Sequence, residues 1–174
     1  SVMTGVGSKS YWKVIWERIN GDGSSNIINV EDMKSQESDD IDEVGAFKKT
    51  TEKFGIYIVR LGYKPRGMVL KCYLIDNDQR RASFFYEYKG EIIKYSIYVN
   101  DTDSSFGQKK LDKIVDEYEI NNNGVNIDVE EYDLNNSENK RYIAKFKYRD
   151  VHYQIKGVMG RSEFDSIIKK LIFV

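Results

Sequence analysis

From Gly55 to Gly160 apolar and polar side chains alternate in a succession of short runs, and a period of two over such runs means antiparallel strands. The runs are Ile56–Val59, Met68–Ile75, Ala82–Tyr88, Glu91–Val99, Ile114–Ile120, Val125–Tyr132, Tyr142–Tyr148 and Val151–Val158. Turn residues separate them: Asp76-Asn77-Asp78-Gln79 after one, and the two-residue connections Lys89-Gly90 and Arg149-Asp150 after others, the length that tight hairpins use. The aromatic residues are mostly tyrosine, 13 against 8 Phe and 2 Trp, which suits a pleated, half-buried surface. The expected fold is α+β, an antiparallel sheet of six to eight strands with helices covering one face.

Three segments carry the helical period instead. Trp12, Ile15, Trp16 and Ile19 mark a short amphipathic helix over Tyr11–Ile19, stopped by Asn20-Gly21-Asp22-Gly23. A second fits Asp39–Lys53, with Ile41, Val44, Phe47 and Phe54 on one face and the acids Asp39, Asp40, Asp42 and Glu43 at its positive end. The third, Ser162–Phe173, has an apolar stripe of Phe164, Ile167, Ile168, Leu171 and Ile172, with Ser162 and Asp165 spaced as a capping box. Asn26–Met33 reads as a strand ahead of the sheet, and Lys34–Asp40 and Asn135–Asn139 as linkers. One domain over residues 1–174 is expected, with residues 1–10 as a flexible tail.

A repeated pattern sets the register of two hairpins. Ala82-x-Phe84-x-Tyr86 is followed by Tyr95-x-Ile97, and Ala144-x-Phe146-x-Tyr148 by Tyr153-x-Ile155. Two-residue turns then place Phe84 opposite Tyr95, Ala82 opposite Ile97, Phe146 opposite Tyr153 and Ala144 opposite Ile155, all facing the helices. Phe85, Lys94, Lys145 and Gln154 are expected on the other face.

Chemistry-bearing residues are few. One histidine, His152, gives no zinc triad, and no spacing supplies it with a Ser, Cys or Asp partner; it reads as a solvated strand residue beside Lys147. The single cysteine, Cys72, alternates with Met68, Leu70 and Leu74 and reads as an inert core thiol. Asp101-Thr-Asp103-Ser-Ser105-Phe-Gly107 imitates a calcium loop with its glycine one position late and Asp112 where a bidentate Glu belongs; Asp76 and Asp78 run into Arg80 and Arg81. Glu130 and Glu131 are strand neighbours and point to opposite faces. The basic groups Arg60, Lys64, Arg66, Lys71 and Lys140, Arg141, Lys145, Lys147, Arg149 suit cross-strand charge pairing better than a phosphate track. With 27 basic and 28 acidic side chains, nothing favours nucleic acid, and no run of apolar residues is long enough to insert in a membrane. No catalytic residue, metal site or cofactor is expected.

The segment Glu43 to Met68, a helix running into Phe54-Gly-Ile-Tyr-Ile-Val-Arg-Leu-Gly-Tyr-Lys-Pro-Arg-Gly-Met, resembles the bacterial domain-of-unknown-function family 4367. So does the chain's end: Asn123-Gly124, Tyr142 to Tyr148, Val151-His-Tyr-Gln-Ile-Lys-Gly and the helix after Ser162 are similar to that family's closing hairpin and terminal helix. The resemblance covers roughly Glu43 to Val174. It implies the outward-facing part of a membrane-anchored bacterial protein, hence an extracytoplasmic location and an upstream membrane anchor, and it brings no catalytic residues with it. The expected function is a non-enzymatic interaction or sensor module for a protein partner. The alternative is a carrier or sensor of a small apolar ligand held in an aromatic groove between sheet and helices.

Overall fold

The computed structural model describes residues 42–100, 114–135 and 138–174. The expected helix at Tyr11–Ile19, the strand at Asn26–Met33, the stretch Lys34–Asp40, residues 1–10 and the loop at 101–107 lie outside the described residues.

The described chain runs α1 (Glu43–Phe54), β1 (Arg60–Leu61), β2 (Val69–Asp76), β3 (Arg81–Tyr88), β4 (Glu91–Tyr98), β5 (Ile114–Asn122), β6 (Val125–Tyr132), β7 (Lys140–Tyr148), β8 (Val151–Met159), α2 (Arg161–Lys169) and β9 (Leu171–Ile172). This is an α+β fold. Seven strands form one antiparallel sheet in the order β2-β3-β4-β8-β7-β6-β5, and β1 pairs with β9 in a small second sheet.

The hairpins follow from their turns. Lys89-Gly90, Asn123-Gly124 and Arg149-Asp150 each hold two successive residues at positive φ, the mirror-image turn whose twist matches that of the strands. The expected rungs form as read: Phe84 opposite Tyr95, Ala82 opposite Ile97, Phe146 opposite Tyr153 and Ala144 opposite Ile155. These side chains are buried under the helices. Ring stacking runs across the sheet from Phe47 of α1 to Phe84 at 4.5 Å, then through Tyr95 and Tyr153 to Phe146 at 4.9 Å, with Phe173 edge-on beyond it. Aromatic rings therefore fill the space between sheet and helices.

Tyrosine hydroxyls anchor the covering layer. Tyr95 donates to the Val59 carbonyl, and Tyr153 accepts from the Val59 amide at 3.3 Å. Tyr86 donates to Glu43 at 2.6 Å, Tyr118 to Asp165 at 2.6 Å, and Tyr88 to Glu163. At the other end of α2, the Asn122 side-chain amide donates to the carbonyls of Ile168, Lys169 and Leu171, taking up orphan groups of the helix C-terminus. Each buried hydroxyl keeps its partner while its ring adds apolar area to the core.

Four local expectations are corrected. The second helix begins at Glu43, not Asp39, because Asp42 is its N-cap and accepts the Gly45 amide at 3.0 Å; it extends one residue past Lys53, to Phe54, where Gly55 at φ 70° closes it. Ile56–Val59 is no strand: Ile58 and Val59 are buried, but the only pairing nearby is Arg60–Leu61 with β9. The last helix covers Arg161–Lys169 instead of Ser162–Phe173, since the chain turns at Lys170 and enters β9. Its cap is Gly160, whose amide donates to Glu163 at 3.2 Å, so the Ser162/Asp165 pair is not the box. Finally, Cys72 does not share a face with Met68 and Leu70. A bulge between Leu70 and Cys72 moves it to the opposite side of the sheet, where it packs with Leu74, Phe85 and Ile92.

Candidate functional site: the face of the sheet opposite the helices

Both described helices lie on one side of the sheet, and the other side carries no helix among the described residues. Register places its side chains in continuous rows. One row runs Cys72, Phe85, Lys94, Lys156, Ile143, Glu130, Glu117 across β2-β3-β4-β8-β7-β6-β5. The next runs Leu74, Ser83, Ser96, Gln154, Lys145, Asp128, Glu119. The face thus grades from apolar at β2, through cationic at the centre, to acidic at β5.

At the apolar end, burial pushes the Cys72 thiol up to about 12, so it is protonated and unreactive near neutrality. In the centre, Lys94 lies over the Phe85 ring at 5.7 Å and directly opposite Lys156. Burial, then the charges of Lys156 and Arg81, bring Lys94 down to about 8; burial and Arg141 lower Lys156 as well. Ser96 and Gln154 stand opposite each other one rung along, and both are buried. At the acidic end Glu117 faces Glu130 and Glu119 faces Asp128, lining an open groove of about 550 Å³ with Lys145, whose ammonium is 3.9 Å from Glu130.

The residues singled out in the sequence do not assemble into one centre. His152 is partly buried between Tyr98 and Lys147 in the register. Asp76 accepts the Gln79 amide at 3.0 Å and sits 3.8 Å from Arg81, which makes it a turn cap with an ion pair. Glu130 and Glu131 do point apart, Glu130 toward Lys145 and Glu131 toward Arg161 at 3.3 Å. The basic groups are paired piecemeal: Lys64 with Glu43, Lys71 with Glu87, Lys140 with Asp133 at 2.6 Å, and Lys147 with Asp150. Asp101, Asp103 and Asp112 lie outside the described residues, and among the described residues no group of His, Cys, Asp and Glu has metal-site geometry. No described helix is long and apolar enough to cross a membrane.

The Lys94–Lys156 rung was not singled out from the sequence. Lys94 could be assigned to its face by alternation, but its partner depends on β4 pairing with β8, two strands from separate hairpins.

A family described as Domain of unknown function (DUF4367) matches residues 58–171, about two thirds of the chain. The chain belongs to this family. The DUF4367 match takes in the whole seven-stranded sheet and α2 and begins after α1. No curated protein and no solved structure matches significantly.

Proposed function

We propose that this DUF4367 domain is a non-enzymatic interaction or sensor module on the extracytoplasmic side of a membrane-anchored bacterial protein, and that it meets its partner through the face opposite the helices. The observation that carries the reading is the contrast between the two faces. One is closed by helices and stacked rings, whereas on the other Cys72, Phe85, Ser96 and Gln154 are buried too and the exposed part is the acidic end, Glu117, Glu119 and Asp128, with its groove. Complementary charge of this kind serves steering and selection of a partner. The filled aromatic layer weighs the reading toward surface recognition over carriage of an apolar ligand between sheet and helices.

The test is site-specific photocrosslinking in intact cells of the native host, with benzoylphenylalanine at Asp128 on the acidic rows or at Lys48, exposed on α1. The reading expects a discrete adduct from position 128 and none from position 48, and it expects added protease to remove the domain without lysis. Adducts from position 48 alone, adducts from neither, or protection from protease until lysis would each overturn it.

A further inference from the structure

The centre of the sheet holds an electrostatic arrangement that no fold needs. Like charges directly opposite each other on neighbouring strands destabilise a sheet, and the usual remedy is a carboxylate beside them. Lys94 and Lys156 form such a rung, and their lateral neighbours in the row are Phe85 and Ile143. Neither lysine has a carboxylate within ion-pair distance among the described residues, although the sheet supplies acids freely to Lys71, Lys140 and Lys145. On the adjoining rung Ser96, 1% exposed, has its hydroxyl beside that of Tyr98, and the Gln154 amide opposite it is buried. Buried polar groups cost free energy unless hydrogen bonds complete them.

The four side chains share one chemical property. Two ammonium groups, a hydroxyl and a carboxamide can all donate hydrogen bonds, and only an acceptor-rich, negatively charged species satisfies them together. Opposed residues have Cβ atoms about 4.5–5.5 Å apart and successive rungs on one face are about 7 Å apart, a patch of molecular size, not of macromolecular size. The geometry points to a binding site for a small oxyanion, with Lys94 and Lys156 neutralising its charge and Ser96 and Gln154 orienting its oxygens. This assignment is independent of the partner reading above. Phosphate-type and carboxylate oxyanions share the required chemistry, and the titration separates them.

The test uses the full 174-residue chain, titrated at constant ionic strength with inorganic phosphate, sulfate or acetate against chloride, and followed by calorimetry and amide NMR. Saturable binding is expected, with the Gln154 side-chain and Ser96 backbone signals among those that move. Lys94→Met and Lys156→Met should each weaken it at least tenfold, and Ser96→Ala about fivefold, the loss of one hydrogen bond of about 1 kcal/mol. Both methionine variants keep the stem and remove a poorly housed charge, so they are expected to fold; circular dichroism checks this. Saturation by acetate but not by phosphate or sulfate identifies a carboxylate site, and the converse a tetrahedral one. Sulfate, which does not itself titrate here, should bind more weakly as pH rises through about 8, because Lys94, faced by Lys156 and Arg81, loses its proton there. Absence of saturable binding by all three anions would overturn the assignment, as would binding that both methionine variants leave unchanged.

Discussion

Removing the Lys94 charge should stabilise the protein at neutral pH and cease to do so in alkali. A lysine that titrates near 8 in the folded chain and near 10.5 in the unfolded one carries a charge that folding disfavours by about 3 kcal/mol at pH 7. Between these values the unfolded chain still holds a proton that the folded chain has released, so this group's contribution to stability improves as pH rises. At pH 9.5 the remaining penalty is about 1.4 kcal/mol. Two other kinds of group oppose the trend. The Cys72 thiol, raised from 9.0 to about 12, and the buried tyrosines, raised above 10.0, stay protonated in the folded chain while their unfolded counterparts ionise, which lowers stability in alkali. Wild-type stability alone would therefore blur the effect. The difference between Lys94→Met and wild type isolates it, because packing changes are nearly independent of pH. Urea unfolding in chloride buffers at pH 7.0 and 9.5 should show the variant's advantage shrinking by about 2 kcal/mol. An advantage equal at the two pH values, or a variant destabilised at both by the same amount, would refute the account of Lys94 as a strained buried cation.

Other substitutions probe the frame. Gly62→Ala would place a Cβ 2.4 Å from the Lys170 carbonyl oxygen, a backbone atom with no easy retreat, so it should break the β1–β9 pairing and lower the denaturation midpoint; an unchanged midpoint would count against the close approach. Asp150 is held at φ 64° in a tight hairpin turn, and Asp150→Gly should stabilise by about 1 kcal/mol through relief of left-handed strain, measured by urea unfolding. Loss of the Lys147–Asp150 contact at 3.9 Å between exposed side chains is too weak to offset it. Ending the chain after Gly160 removes Phe164, Ile167 and Ile168, each fully buried and contributing roughly 1.5–3 kcal/mol; the product should be unfolded or aggregated by circular dichroism and light scattering.

The features legible in the sequence are those with short range. Period-two alternation and two-residue turns were enough for the β3–β4 and β7–β8 registers down to individual rungs, and the stripe of Phe164, Ile167 and Ile168 located the covering helix. Boundaries failed where a competing local interaction decided them. Asp42 caps where Asp39 had equal claim by charge, and β9 captures Leu171 and Ile172 that continue a helical stripe. Cys72 changed face because a bulge adds one residue that alternation cannot reveal. The Lys94–Lys156 rung was hidden for a different reason: each lysine has an ordinary alternating position in its own hairpin, and only the meeting of β4 with β8 makes the pair unusual.

That meeting also has a kinetic meaning. β2, β3 and β4 are consecutive hairpin neighbours, as are β5, β6, β7 and β8, so each half of the sheet is built from local contacts that form early and cheaply in loop-closure entropy. The β4–β8 ladder alone joins the halves within the sheet, and its inward rungs Tyr95–Ile155 and Ile97–Tyr153 are wholly buried. Contact order therefore predicts that it closes last, between two locally built ribbons whose inner edges are open until then. On its outward side the first rung is Lys94–Lys156, so each inner edge carries a lysine, a charge that deters foreign strands while the edge is uncovered.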